Sequence, residues 1–152
     1  MKLVFICFFL LFSTAPLALG RVVSYQEVNE SLFASIEKIE TCGEWRVNQK
    51  LGHFRLITLY YSGQNLLFVD IVALNKSQTQ LKPVKGFTFK EINNDHSDIV
   101  IDNIECLPLA TNKIQVKVKA TNTNDQAFQF SLVIDGEKNT YQYNETSSNQ
   151  DK

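Results

Sequence analysis

From Glu44 onward the apolar residues of this chain recur at every second position, which is the period of a β-strand. The alternating segments are short, polar turns separate them, and no helical crossover stands between them. Consecutive strands without a crossover must pair antiparallel. The pattern therefore predicts a mainly β fold, an antiparallel meander or sandwich of about eight strands. The predicted strands are 44–49, 53–61, 66–74, 85–92, 98–106, 113–121, 127–134 and 137–143.

One segment before these strands has a helical period instead. Ser24 and Glu27 have the spacing of a capping box, and the apolar residues after them recur at three- and four-residue steps. This spacing predicts one N-terminal amphipathic helix over 25–38. A strand over 31–41 is the competing interpretation, because Ile36 and other residues of this stretch are β-branched.

Lys2 follows the initial Met1 and precedes an unbroken apolar run that continues to Phe12, and small residues precede Arg21. This composition is typical of a cleaved signal peptide, here residues 1–20. The apolar run is shorter than the ~20 residues that cross a bilayer, so we expect no membrane anchor after processing. The sequence thus predicts an exported soluble protein, periplasmic or secreted, whose mature chain begins at Arg21.

The mature chain has the length of a single domain. We predict one β domain over 21–143 and a disordered polar tail over 144–152, since the tail contains no apolar residue. The formal net charge of −1 provides no electrostatic basis for binding nucleic acid. We find no phosphate-cradling glycine loop or zinc motif, so no cofactor is predicted.

Cys42 and Cys106 are the cysteines that remain after Cys7 is removed with the signal peptide. Two cysteines in an exported protein pair by default. The sequence therefore predicts a Cys42–Cys106 disulfide. A catalytic cysteine is the less favoured interpretation, because nothing in the sequence marks either thiol as activated.

The central hairpin can be given a register from its turn. Gly63-Gln64 places glycine first, as a type II′ turn requires. This turn sets Ile57 opposite Asp70 and leaves Arg55 one diagonal step from that carboxylate, on the same face of the sheet. In the last hairpin, Asp135-Gly136 fits a type I′ turn of two residues.

A carboxylate in the apolar strand 66–74 needs a partner, because an unpaired buried charge costs several kcal/mol. The structural interpretation is an ion pair between Arg55 and Asp70 that locks the central hairpin. In the functional interpretation Asp70 orients His53 as a general base, or Glu44 acts as the acid or base if the turn over 49–52 places it on the same face. The structural interpretation is the favoured one.

The loop 93–98 is rich in oxygen ligands and contains the second histidine of the chain. Asp95 and Asp98 are candidate ligands for Ca²⁺, and His96 is a candidate ligand for a transition metal. The loop lacks the spacing of an EF-hand, and one histidine makes a poor zinc site. We therefore expect a solvated turn and no metal.

Trp45 and Tyr61 are candidate flat binding surfaces, with Arg55 as a candidate polar contact, although aromatic residues of an all-β domain more often belong to the core. The chain is near-neutral, contains no catalytic motif, and is expected to be exported and to form a disulfide. These properties together predict a binding or interaction module. Its partner would be a protein, peptide or glycan, engaged through aromatics or a free sheet edge. The alternatives are a small secreted hydrolase that uses His53 and Asp70, or a structural component of an extracellular assembly.

Overall fold

A computed structural model describes residues 21–24, 35–61, 63–75, 77, 79–94 and 97–146. These residues form eight β-strands, and no helix occurs among them. The strands are β1 (Ser35–Val47), β2 (Lys50–Tyr61), β3 (Gln64–Leu74), β4 (Leu81–Thr88), β5 (Val100–Ala110), β6 (Lys113–Thr121), β7 (Ala127–Asp135) and β8 (Thr140–Thr146).

The eight strands form two four-stranded antiparallel meanders in chain order. The first sheet is β1-β2-β3-β4, and the second is β5-β6-β7-β8. Their inner faces share one apolar core, in which Phe54 and Val69 of the first sheet are clustered with Val116 and Leu132 of the second. The prediction of a mainly antiparallel β fold is therefore confirmed, with the two sheets packed through this shared core.

The predicted helix over 25–38 is wrong in its last four residues. Residues 25–34 lie outside the described residues, but β1 begins at Ser35. Ile36 pairs with Leu59 of β2, and the strand continues through further cross-strand pairs. Such pairing stabilises β-branched residues more than a helix end does, because strand neighbours pack against both sides of the branched side chain.

The two ends of the chain are described only in part. The predicted signal peptide, residues 1–20, lies outside the described residues. At the other end β8 continues to Thr146, three residues into the segment predicted as a tail, and residues 147–152 are not described. The β domain thus includes the first residues after 143.

The predicted disulfide is confirmed. Cys42 of β1 and Cys106 of β5 are bonded, and their Cα atoms lie 6.2 Å apart. Because β1 and β5 are edge strands of different sheets, the bond joins the two meanders covalently. A stable disulfide of this kind forms in oxidising compartments.

Two buried asparagines connect the second half of the chain to β3. The Asn93 side chain accepts the backbone N–H of Leu67 at 2.9 Å and donates to the carbonyl of the same residue at 2.7 Å. Asn65 Oδ1 accepts the N–H of Ile101 at 2.8 Å. The chain is therefore hydrogen-bonded to the first sheet both before β5, at Asn93, and at the second residue of β5, Ile101.

The central hairpin has a different register from the predicted one. Tyr61 pairs with Gln64, so the turn is 62–63, and Gly63 with φ +91° occupies its second position. Glycine suits that position because a positive φ is strained for residues with a Cβ. The shift by one turn residue sets Arg55 directly opposite Asp70 rather than diagonal to it.

The last hairpin also differs. Asp135 pairs with Thr140, so four residues form the loop instead of two. The carboxylate of Asp135 accepts the backbone N–H groups of Glu137 and Lys138, at 3.1 and 2.9 Å. These side-chain hydrogen bonds stabilise a turn that starts after Asp135. Asp135 is therefore the last residue of β7 rather than a central residue of the turn.

Candidate functional site

Gly43 decides which residues of β1 face the core. The register with β2 shifts between Cys42 and Glu44, and Gly43 has φ +61°. The extra residue of this bulge lets Cys42 and Trp45 both point inward, although they are three positions apart. Glu44 consequently belongs to the outer face of the first sheet.

The outer face of the first sheet carries the residues of the predicted polar cluster. Glu44 pairs with His53, His53 pairs with Val72, and Arg55 pairs with Asp70. Because side chains alternate along a strand, His53, Arg55 and Asp70 share one face. The structure therefore brings the four polar residues named from the sequence to neighbouring positions.

Arg55 and Asp70 form a two-pronged ion pair. Arg55 Nε donates to Asp70 Oδ1 at 2.9 Å, and a terminal guanidinium nitrogen donates to Oδ2. Asp70 is fully buried, and the Arg55 side chain is 28% exposed. A bidentate arginine holds both carboxylate oxygens in a fixed plane. This geometry is the contact that the structural interpretation requires.

The candidate binding residues Trp45, Tyr61 and Arg55 do not converge on one surface. Trp45 is buried on the inner face of the first sheet, where its indole N–H donates to the Gly136 carbonyl at 3.2 Å. Tyr61 is half-buried and packs against a separate cluster on the outer face. An exposed aromatic platform made of Trp45 and Tyr61 is therefore not formed.

The edges of the two sheets differ in a way that the sequence pattern did not reveal. The edge strands are β1, β4, β5 and β8. β1 and β5 each contain two register shifts and β4 contains one, and prolines stand at Pro83 in β4 and Pro108 in β5. β8 has no register shift, no proline and no lysine. Among the described residues, β8 pairs with β7 alone.

Two tyrosines hold β8 against the core. The rings of Tyr141 and Phe89 meet edge to face, with centroids 5.0 Å apart, and the Tyr141 hydroxyl donates to Glu91 at 2.9 Å. Burial, reinforced by this hydrogen bond, raises the pKa of Tyr141 above its ordinary value. Burial also raises the pKa of Tyr143, whose hydroxyl donates to Glu145. Both phenols are therefore protonated donors at neutral pH.

The candidate metal loop is only partly described. Asp95 and His96 lie outside the described residues. Asp98 is exposed, and its backbone N–H donates to the side chain of the buried Gln64 at 2.7 Å. In the described part of the chain, no three histidine, cysteine, aspartate or glutamate side chains are grouped so that they could hold a metal ion.

Comparisons with known proteins assign no family to this chain. No protein-family model, curated protein or solved structure matches it. Within the described ranges, no helix is both long and apolar enough to cross a membrane. The structural features that bear on function are therefore the edge strand β8 and the polar cluster of Glu44, His53, Arg55 and Asp70.

Proposed function

We propose that this protein is an exported interaction module that binds an extended segment of a protein partner by strand addition at β8. The observation that carries the proposal is the contrast among the four edge strands. Bulges and prolines protect β1, β4 and β5 in different combinations, whereas β8 has neither. An unprotected edge presents backbone N–H and C=O groups at every second residue, which is a template for another strand.

β8 is also suited to binding because it is held in place before a partner arrives. Tyr141 and Tyr143 fasten one side of the strand to the core, so little conformational entropy is lost on pairing. Gln142 and Asn144 are exposed on the opposite side. A partner segment with alternating side chains would contact tyrosine rings on one side and amide groups on the other.

The charge of β8 indicates which charge a partner segment should carry. Glu145 is the one charged residue of β8. Opposite charges on neighbouring strands stabilise a cross-strand pair, by about 0.2–1 kcal/mol. We therefore expect a partner segment with lysine or arginine opposite or diagonal to Glu145 to be preferred over an acidic one.

Export is part of the same proposal. The N-terminal residues 1–20 have the composition of a signal peptide, and the disulfide favours an oxidising compartment. The partner segment would then belong to a protein outside the cytoplasm.

The test uses a displayed library of random heptapeptides, matched to the seven residues of β8. Selection on the mature protein is expected to enrich extended, basic peptides. Hydrogen exchange measured with a selected synthetic peptide should show protection of β8 amides and little change in the protected centre of the first sheet. Sedimentation of the free protein should show a monomer, since a second copy is not the proposed occupant.

Gln142→Lys is the variant that tests the site, because an edge lysine opposes strand addition. Gln129→Lys is the matched control: it makes the same change at another exposed position, but on the interior strand β7. Gln142→Lys should abolish peptide binding and Gln129→Lys should retain it. Equal binding by both variants, or protection of amides away from β8, would contradict the proposal.

A further inference from the structure

A second feature, unrelated to β8 pairing, lies at one end of the molecule. There the β1–β2 turn and β4 of the first sheet approach the β7–β8 turn of the second and leave a cleft of about 330 Å³. This volume falls at the lower end of the range for small-molecule sites, about 300–1,000 Å³. Its lining includes Trp45, Ile71 and Gly136 on the floor and Lys50, Lys85 and Glu137 at the rim.

The floor of the cleft is apolar and rigid. Trp45 and Ile71 belong to the shared core, and Trp45 is fastened by its hydrogen bond to Gly136. A Cβ added to Gly136 would lie 2.7 Å from Phe54 and 2.9 Å from Trp45, so the β7–β8 turn is pressed against these rings. A preformed apolar floor of this kind is suited to an aliphatic or aromatic ligand group.

The rim of the cleft carries an excess of positive charge, with Lys50 and Lys85 against Glu137. Lys85 is half-buried. It lies directly opposite the core residue Ile71 on the neighbouring strand, so its side chain is on the inner face of the sheet. Its ammonium nitrogen lies 5.6 Å from the ring centroid of Phe87. Lys85 forms no ion pair with any residue that the structure describes.

We infer that this cleft binds a small monocarboxylate with an aliphatic tail. The apolar floor would receive the tail, and the Lys85 ammonium would accept the carboxylate as its counterion. A charge-assisted hydrogen bond in a partly desolvated site is stronger than a neutral one. The proposal does not depend on strand addition at β8, because none of the lining residues belongs to that strand.

Trp45 makes the inference directly testable, because it is the only tryptophan of the chain and lies in the cleft. Sodium octanoate titrated into the mature, oxidised protein should change tryptophan fluorescence in a saturable way. Octylamine, which has the same tail and the opposite charge, should bind more weakly. Lys85→Gln should weaken octanoate binding about tenfold, the size expected for loss of a charged hydrogen bond.

Two further variants serve as controls. Lys82→Gln removes an exposed lysine from the same strand and should leave octanoate affinity unchanged. Glu137→Gln removes the opposing carboxylate and should strengthen octanoate binding. A leucine-ended pentapeptide tests whether a protein C-terminus is the true occupant. The inference fails if octanoate gives no saturable change, if octylamine binds equally well, if Lys85→Gln has no effect, or if the peptide alone binds.

Discussion

Arg55 and Asp70 lie directly opposite each other on β2 and β3, and the guanidinium donates two hydrogen bonds to a carboxylate that has no exposure to solvent. The pair stands on the two central strands of the first sheet. Removing one member of such a pair leaves the other charge buried without its main counterion. The two interpretations of this cluster, structural pair or catalytic site, therefore predict different outcomes for the same substitution.

Asp70→Ala is expected to lower the free energy of unfolding by about 3–5 kcal/mol, the usual cost of breaking a buried ion pair. Urea denaturation measures this value. Glu40→Ala is the control, because Glu40 pairs with Lys38 at 2.7 Å on an exposed edge strand and should cost less than about 1 kcal/mol. An unchanged unfolding midpoint for Asp70→Ala, together with loss of some hydrolytic activity, would support a catalytic role with His53 instead.

Loss of the disulfide is expected to destabilise the fold by about 4 kcal/mol in the chain-entropy model, because it closes a loop of 64 residues. The double variant Cys42→Ala/Cys106→Ala provides the measurement by urea denaturation. Reductant should lower the stability of the wild-type protein to that of the double variant and leave the double variant unaffected. Two free thiols titrated in the denatured, unreduced mature protein would contradict the assignment.

Asn93→Ala is expected to cost about 2–4 kcal/mol, because it leaves a buried N–H and a buried C=O of Leu67 without their partners. Asn93→Asp should also destabilise the protein, since a carboxylate cannot donate to the Leu67 carbonyl. Asn124→Ala, in an exposed turn, should change stability by less than about 0.5 kcal/mol. Equal midpoints for the two alanine variants in thermal denaturation would show that the Asn93 contacts contribute little.

Alkaline pH should destabilise the protein partly through Tyr141. Its pKa is raised in the folded state, so the folded protein retains the phenol proton more strongly than the unfolded chain does. The resulting stabilisation is fully present below pH 10.0, the ordinary tyrosine pKa, and is lost as the pH rises through the folded value. Tyr141→Phe should therefore lose less stability than wild type between neutral pH and pH values above 10.0. The same loss of stability in Tyr141→Phe and in wild type, measured by urea denaturation across this pH range, would contradict the prediction.

The pairing of β6 with β7 was predictable from sequence. Val118 faces Phe130 and Ala120 faces Phe128, as the apolar alternation requires. A slip by one residue would set lysines opposite phenylalanines, so local pattern alone selects the register. The Cys42–Cys106 bond was predictable for a different reason: Cys7 lies in the predicted signal peptide, which leaves two cysteines that can pair.

The positions of the candidate site residues were less predictable. Arg55 was expected one diagonal step from Asp70, but the turn at Gly63 begins one residue earlier and sets them face to face. Trp45 was considered as an exposed surface, yet the bulge at Gly43 turns it inward. The unprotected edge at β8 could not be identified from the sequence pattern. Its identification requires knowing which strands lie at the sheet edges, and therefore how the eight strands divide into two sheets.

The sequence by itself determined the strand period, the absence of crossovers after Glu44 and the pairing of Cys42 with Cys106. The strand period and the absence of crossovers depend on residues that are close in the chain. The cysteine pairing has one possible outcome once Cys7 is assigned to the predicted signal peptide. Only the tertiary structure decided the face on which Trp45 lies, the strand that ends each sheet, and the meeting of Lys85 with Trp45 in one cleft. A single bulge residue reverses the direction of every side chain after it, and its position is selected by packing between residues that are far apart in sequence.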